Sequence, residues 1–299
     1  MAKFALIGPS YTSQSVNADC QSTINLYPEV IESGAGNSQI VLYPSPGLKS
    51  FVDLTPIVPP PPVAPRFYQT ETIFQNTGSN VGNNHISSFV PGLGTGGETI
   101  EVGDTVILAF YCFLNNGATP NYPTAVAFSK TAVNFATFTQ IGTIVPFGVA
   151  ASRGILAVFT GKALIPVSGT DSLDFTYTFN ANANNTDWQS NWSCFKHVGL
   201  IDQHSSQAFL GATSFAAPAL PLTQTSFVLS YIYPQLNAAS VTTASPYFKF
   251  TNNVVGCGLF YQHPPSNDLI AAPGVYSPTW TSVSGAQDAG VLNFNFKLP

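Results

Sequence analysis

The sequence predicts an all-β protein: a jelly-roll-like β-sandwich preceded by an extended N-terminal arm and a proline-rich linker. Three observations carry that reading. Charged residues make up only 8% of the 299 residues, against roughly 25% in an average domain, while 44% are hydrophobic and 13% aromatic, including 23 Phe and 12 Tyr. A chain this apolar can offset the entropy of ordering, and its wealth of Val, Ile, Thr, Phe and Tyr favours strands over helices. From Arg66 onward, short apolar or alternating runs are separated by Gly, Pro and Asn, and no segment of a dozen residues has helical spacing. Between the two regions lies Pro56-Ile-Val-Pro-Pro-Pro-Pro-Val-Ala-Pro65, six prolines in ten positions.

The arm, residues 1–55, holds isolated aromatics and four of the 14 acidic residues, without long apolar periodicity. The linker, residues 56–65, reads as an extended strut without internal hydrogen bonds, spanning roughly 30 Å at ~3.1 Å per residue. A stiff spacer accounts for it more simply than a ligand for an aromatic groove. The head, residues 66–299, offers candidate strands at Thr105–Leu114, Phe135–Ile144, Ile155–Lys162, Leu173–Asn180 and Trp192–Val198, then Phe227–Ile232, Val254–Gln262, Thr279–Ser284 and Val291–Phe296. In Leu173-Asp-Phe-Thr-Tyr-Thr-Phe179 apolar and polar residues alternate, which predicts one buried and one wet face. Val291-Leu-Asn-Phe-Asn-Phe296 predicts the same for a last strand closing a sheet. Many short strands joined by loops imply a sandwich or jelly roll, and no blade-length repeat supports a propeller.

The formal charge of −5 and nine scattered Lys and Arg argue against nucleic acid as a main partner. The first residues are too short and too soon interrupted by Pro9 for a secretory signal, and no apolar run approaches the ~20 residues of a membrane span. The expectation is a protein made in a bacterial cytoplasm, with no insertion into a membrane. Four cysteines form no CxxC pair; Cys112 and Cys257 lie in apolar runs, where a thiol acts as a small buried hydrophobe. The glycosylation sequons at Asn184 and Asn191 read as chance.

Four blocks in the arm carry a resemblance: Ile7-Gly-Pro-Ser-Tyr11, Ser15-Val-Asn-Ala-Asp-Cys-Gln21, Asn25-Leu-Tyr-Pro-Glu29 and Leu42-Tyr-Pro-Ser-Pro-Gly-Leu48. Their order and spacing resemble the start of the tail hub, or nozzle, proteins of short-tailed bacteriophages, also called packaged-DNA stabilisation proteins. The resemblance covers about 50 residues. It implies an assembly element of a phage particle, with Tyr11, Asn25, Leu26, Tyr27, Pro28, Glu29, Leu42 and Pro46 as partner-binding residues. In that family the segment leads into a large propeller-like body, whereas here it leads into the proline linker and a different β domain. Gly97-Glu-Thr-Ile-Glu-Val-Gly-Asp-Thr-Val-Ile-Leu-Ala-Phe110 is similar to a recurring start of adhesin-like sandwiches in phages and bacteria, a generic feature that names no ligand.

Candidate chemistry is sparse. Pro91-Gly-Leu-Gly-Thr-Gly-Gly97 lacks the lysine and following helix of a phosphate loop and reads as a hairpin or surface loop. Asp202-Gln-His204 would share a face if extended, near Ser205 and Ser206, but no Gly-x-Ser-x-Gly elbow occurs. A metal held by Asp202 and His204, with His197 or His263 as a third ligand, is a weaker reading than surface histidines, and no carboxylate pair can be nominated for glycoside hydrolysis. The segment Asn180 to Trp192 mixes amides with two tryptophans, as a sugar site does, with Asn185, Asp187, Trp188 and Trp192 as glycan-binding candidates. Packing of both tryptophans into the sandwich is the preferred alternative. Tyr231 and Tyr233 are candidates for an inter-subunit contact.

The reading is a virion structural protein without enzymatic activity, cofactor or metal. Its arm docks on other virion proteins (tail hub, portal or connector, or capsid), its head decorates or extends the particle, and the chain forms a homo-oligomer. A receptor-binding adhesin for host-surface glycans is the alternative, followed by a polysaccharide depolymerase.

Overall fold

The computed structural model describes residues 65–76, 84–89, 99–114, 120–148, 153–181, 187–252, 255–264 and 266–299. All of them belong to one unit, Pro62–Pro299. The proposed docking residues Tyr11, Asn25, Leu26, Tyr27, Pro28, Glu29, Leu42 and Pro46 lie outside the described residues, as does Asn185. The fold is an all-β sandwich of antiparallel sheets; its one helical element among the described residues is a single 3₁₀ turn at Ala238–Ser240.

The first half of the unit builds a nine-stranded sheet. Its strands are β1 (Arg66–Asn76), β2 (Asn84–Phe89), β3 (Thr105–Leu114), β4 (Pro123–Lys130), β5 (Val133–Gln140), β6 (Val145–Phe147), β7 (Arg153–Ala163), β8 (Leu173–Phe179) and β9 (Asp187–Lys196). They run β1-β9-β3-β7-β5-β4-β8-β2, with β6 beside β7. Strand β3 explains the arrangement. Its continuous apolar run is buried on both faces: Val106, Leu108, Phe110 and Cys112 enter one core, and Ile107, Ala109 and Tyr111 enter another.

The first core is enclosed by the sheet itself. Tyr177 on β8 meets Phe110 on β3 at 5.0 Å and Trp188 on β9 at 5.2 Å between ring centroids. Four strands separate β8 from β9 in the sheet order, so the sheet curls until β8 faces β3 and β9, as right-handed twist and bulges allow. The period-two alternation of β8 holds: Leu173, Tyr177 and Phe179 are buried while Asp174, Thr176 and Thr178 are half-buried.

The second half builds a five-stranded sheet from β10 (Ile201–Ala212), β13 (Ser226–Pro234), β15 (Tyr247–Asn252), β16 (Cys257–Tyr261) and β19 (Gln287–Lys297), in the order β10-β19-β13-β16-β15. Phe227, Leu229, Tyr231, Leu292, Phe294 and Phe296 face the first sheet and close the second core with Leu156, Val158 and Phe195. Phe195 and Phe227 pack at 4.9 Å and Tyr111 and Tyr233 at 5.5 Å. Gly290 of β19 admits Phe147 of β6 against its backbone; a methyl there would lie 2.9 Å from the ring.

A third layer covers the far face of this sheet: β11 (Ser214–Ala216), β14 (Val241–Thr243) and β18 (Thr279–Ser282) form one small sheet, and β12 (Leu220–Leu222) pairs with β17 (Gly274–Tyr276). Phe215, Val241 and Trp280 pack there on Ile232, Leu259 and Val291. This layer corrects the expectation for Val291–Phe296. Strand β19 lies inside the sheet, between β10 and β13, and its polar face is dry: Asn293 and Asn295 have no exposed surface. Asn295 donates to Ser226 Oγ at 3.2 Å and to Asp202 Oδ2 at 3.3 Å, while Trp280 Nε1 donates to Ser230 Oγ at 3.0 Å. Buried polar groups on a covered face are tolerated because most find such partners.

Candidate functional site

The two tryptophans of the glycan candidate belong to the core, so ring-stacking on a sugar by Trp188 and Trp192 is corrected. Strand β9 runs between β1 and β3, with Trp188 opposite Cys112 and Trp192 opposite Leu108. Their side chains enter the first core, at 2% and 0% exposure. Trp188 meets Phe179 and Phe110 at 5.7 and 6.2 Å. An interior strand covered on both faces has no ring to offer a ligand. Asp187, at the start of β9, is exposed. Tyr231 and Tyr233 are also corrected as contact residues, since both are buried between the sheets.

Asp202 and His204 do not share a face. A register shift between Ile201 and Gln203 breaks the period-two rule at the start of β10. Asp202 turns toward Asn295 and forms an ion pair with Lys297 at 3.3 Å. His204 pairs in register with Phe294 and covers Gly142, whose φ of +63° and close contact with the imidazole leave no room for a side chain. Ser205 Oγ donates to the Pro218 carbonyl. Acid, imidazole and hydroxyl therefore point to different partners, with no nucleophile–base contact. Among the described residues no three of His, Cys, Asp and Glu come together as metal ligands would. Cys112, Cys194 and Cys257 are free and buried. Burial pushes the Cys257 thiol up to about 12 and raises Cys112 and Cys194 further, which keeps all three unreactive.

One open groove, of about 300 Å³, lies where the first sheet meets the start of β10. Thr137 and Thr139 of β5, Thr160 and Lys162 of β7 and Thr105 of β3 line its floor, with Leu164, Leu200 and Ile201 at the rim. Strand alternation puts Thr137 and Thr139 on the same side, and the β5–β7 pairing sets Thr137 opposite Lys162 and Thr139 opposite Thr160. The Lys162 ammonium donates to Thr105 Oγ1 at 2.6 Å and to the Val198 carbonyl. Burial lowers its pKa, and the nearby Asp104 carboxylate works in the opposite direction. Leu164, Leu200 and Ile201 are exposed, Leu200 at 72%. The groove offers hydroxyls, one anchored cation and an aliphatic rim, which suits binding of a small polar or extended ligand. Sequence reading missed it because its residues come from five separate segments; the alternating threonines of β5 are the one local signal.

No family model, no curated protein and no solved structure matches the chain.

Proposed function

We propose that the chain is a structural protein of a tailed-bacteriophage virion, which docks through its N-terminal arm and displays the β-sandwich on the particle. The observation that carries this reading is the ordered set of four arm blocks between Ile7 and Leu48, upstream of the proline-rich stretch that begins at Pro56. The head supports it physically. Three stacked layers take every tryptophan into buried packing, and histidine, serine and acid side chains of β10 are spent on structural contacts rather than gathered into a reacting centre. Such a body suits display better than turnover.

A second reading, receptor-binding adhesin, rests on the Thr137–Thr139–Thr160–Lys162 groove rather than on the tryptophan segment. Complementation separates the two. The full chain and a chain lacking residues 1–55 are supplied in trans to a replicon deleted for the gene, and incorporation into released particles is measured. Docking through the arm predicts incorporation of the full chain only. Equal incorporation of both sinks the arm as the docking element. Particles that incorporate the full chain but adsorb poorly when it carries Thr139→Arg favour the adhesin.

A further inference from the structure

The five-stranded sheet ends on one side at β10, which is twelve residues long and, among the described residues, pairs only with β19. An edge strand presents a row of unpaired N–H and C=O groups, and proteins blunt such edges with charge, proline, bulges or short length. The other edges here are blunted. Strand β15 follows Pro246, carries Lys249 and has a register shift between Lys249 and Thr251. Strand β1 carries Arg66 and Glu71 and has two register shifts, and β2 is six residues long. From Gln203 to Ala212, β10 carries no proline, lysine, arginine or carboxylate.

Its register is also regular where it matters. Shifts occur between Ile201 and Gln203 and between Phe209 and Ala212, leaving Gln203–Phe209 in unbroken register. The Gln203 and Ser205 side chains bond the carbonyls of Pro221 and Pro218 on the face turned to the third layer. The chain therefore covers a face of β10, and among the described residues no backbone hydrogen bond reaches the outer edge of Gln203–Phe209.

We propose that this edge pairs antiparallel with β10 of a second copy, about a twofold axis at Ser206, joining two five-stranded sheets into one that crosses both chains. Gln203 and Phe209 each lie three residues from Ser206, so the unbroken stretch is its own complement. In that register His204 faces Ala208, Ser205 faces Gln207 and no charge faces its like, where like charges directly opposite would destabilise the pair. Exposed Leu210, at 59%, flanks the paired segment with apolar surface. An isologous contact of this kind uses up both edges and closes the assembly. The inference does not rest on the virion reading, because it concerns the isolated chain.

The test uses the full-length chain in light scattering beside Ser206→Lys, which sets two ammonium groups against each other on the axis, with circular dichroism as the control for folding. Ser206→Cys is then oxidised beside Ala208→Cys, whose thiols this register holds beyond disulfide reach. The expected result is that Ser206→Lys halves the mass and that Ser206→Cys, but not Ala208→Cys, forms covalent dimers. A folded Ser206→Lys variant of unchanged mass overturns the proposal. So does Ser206→Cys that stays uncrosslinked, or Ala208→Cys that crosslinks equally; the cysteine pair decides the matter if Ser206→Lys does not fold.

Discussion

The Tyr231 hydroxyl, on the second sheet, donates to Ser193 Oγ on the first across 3.3 Å, with both side chains buried. The Tyr231 ring also lies parallel to Phe294 at 5.9 Å and edge-on to Phe250 at 5.8 Å. The residue thus combines apolar packing with a polar bond between the two layers. Tyr231→Phe keeps the ring and removes the bond, and should cost about 1 kcal/mol in denaturant unfolding. Tyr231→Ala should cost roughly 3–5 kcal/mol, as for other large aromatic deletions in cores.

Trp192 tests the core assignment of the β9 tryptophans. Trp192→Ala should destabilise the fold by roughly 3–5 kcal/mol, read as a lower denaturation midpoint. A variant as stable as the parent would contradict its complete burial.

The β4–β5 hairpin turns on Thr131 and Ala132, with φ of +51° and +65°. Two central residues with positive φ between the paired Lys130 and Val133 fit a type I′ turn, which asparagine and glycine favour. A β-branched residue is strained there. Thr131→Asn with Ala132→Gly should therefore raise stability by about 1 kcal/mol, measured as a higher melting temperature.

Stability should fall on the alkaline side. Burial raises the Cys257 thiol from 9.0 to about 12 and the Tyr247 phenol from 10.0 to about 12, and raises Tyr111, Tyr231 and Tyr233 as well. The folded state keeps these protons while the unfolded chain releases them, so the stabilisation is complete below 9.0 and is lost progressively as pH rises toward the folded values. Unfolding free energy measured from neutral pH upward should decline beyond about pH 9. Over the same range a thiol reagent should spare Cys112, Cys194 and Cys257 until the protein unfolds.

The legible parts of the sequence were those whose pattern follows from burial alone. Thr105–Leu114 is marked by an unbroken apolar run because both faces of β3 are covered, and Leu173–Phe179 by alternation because β8 has one core-facing side. Strand β10 was not legible: an edge strand with polar residues on both faces and bulges near its ends has no clean period. The three-residue strands of the third layer are too short to show a period at all, and without that layer Asn293 and Asn295 read as wet. The Asn180–Trp192 segment was ambiguous because amides and tryptophans together fit both a sugar site and a strand entering a core. Only the pairing of β9 between β1 and β3 decides for the core. The groove needed the fold itself, since β3, β5, β7 and the turn before β10 meet only in three dimensions.

The central claim is that this chain is a stoichiometric part of a phage particle. Quantitative mass spectrometry of density-gradient-purified particles, released by the replicon that encodes the chain, tests it most directly. The account predicts the protein in fixed ratio to the other structural proteins across the particle peak. Its absence from that peak, with the chain abundant in the surrounding lysate, would contradict the account.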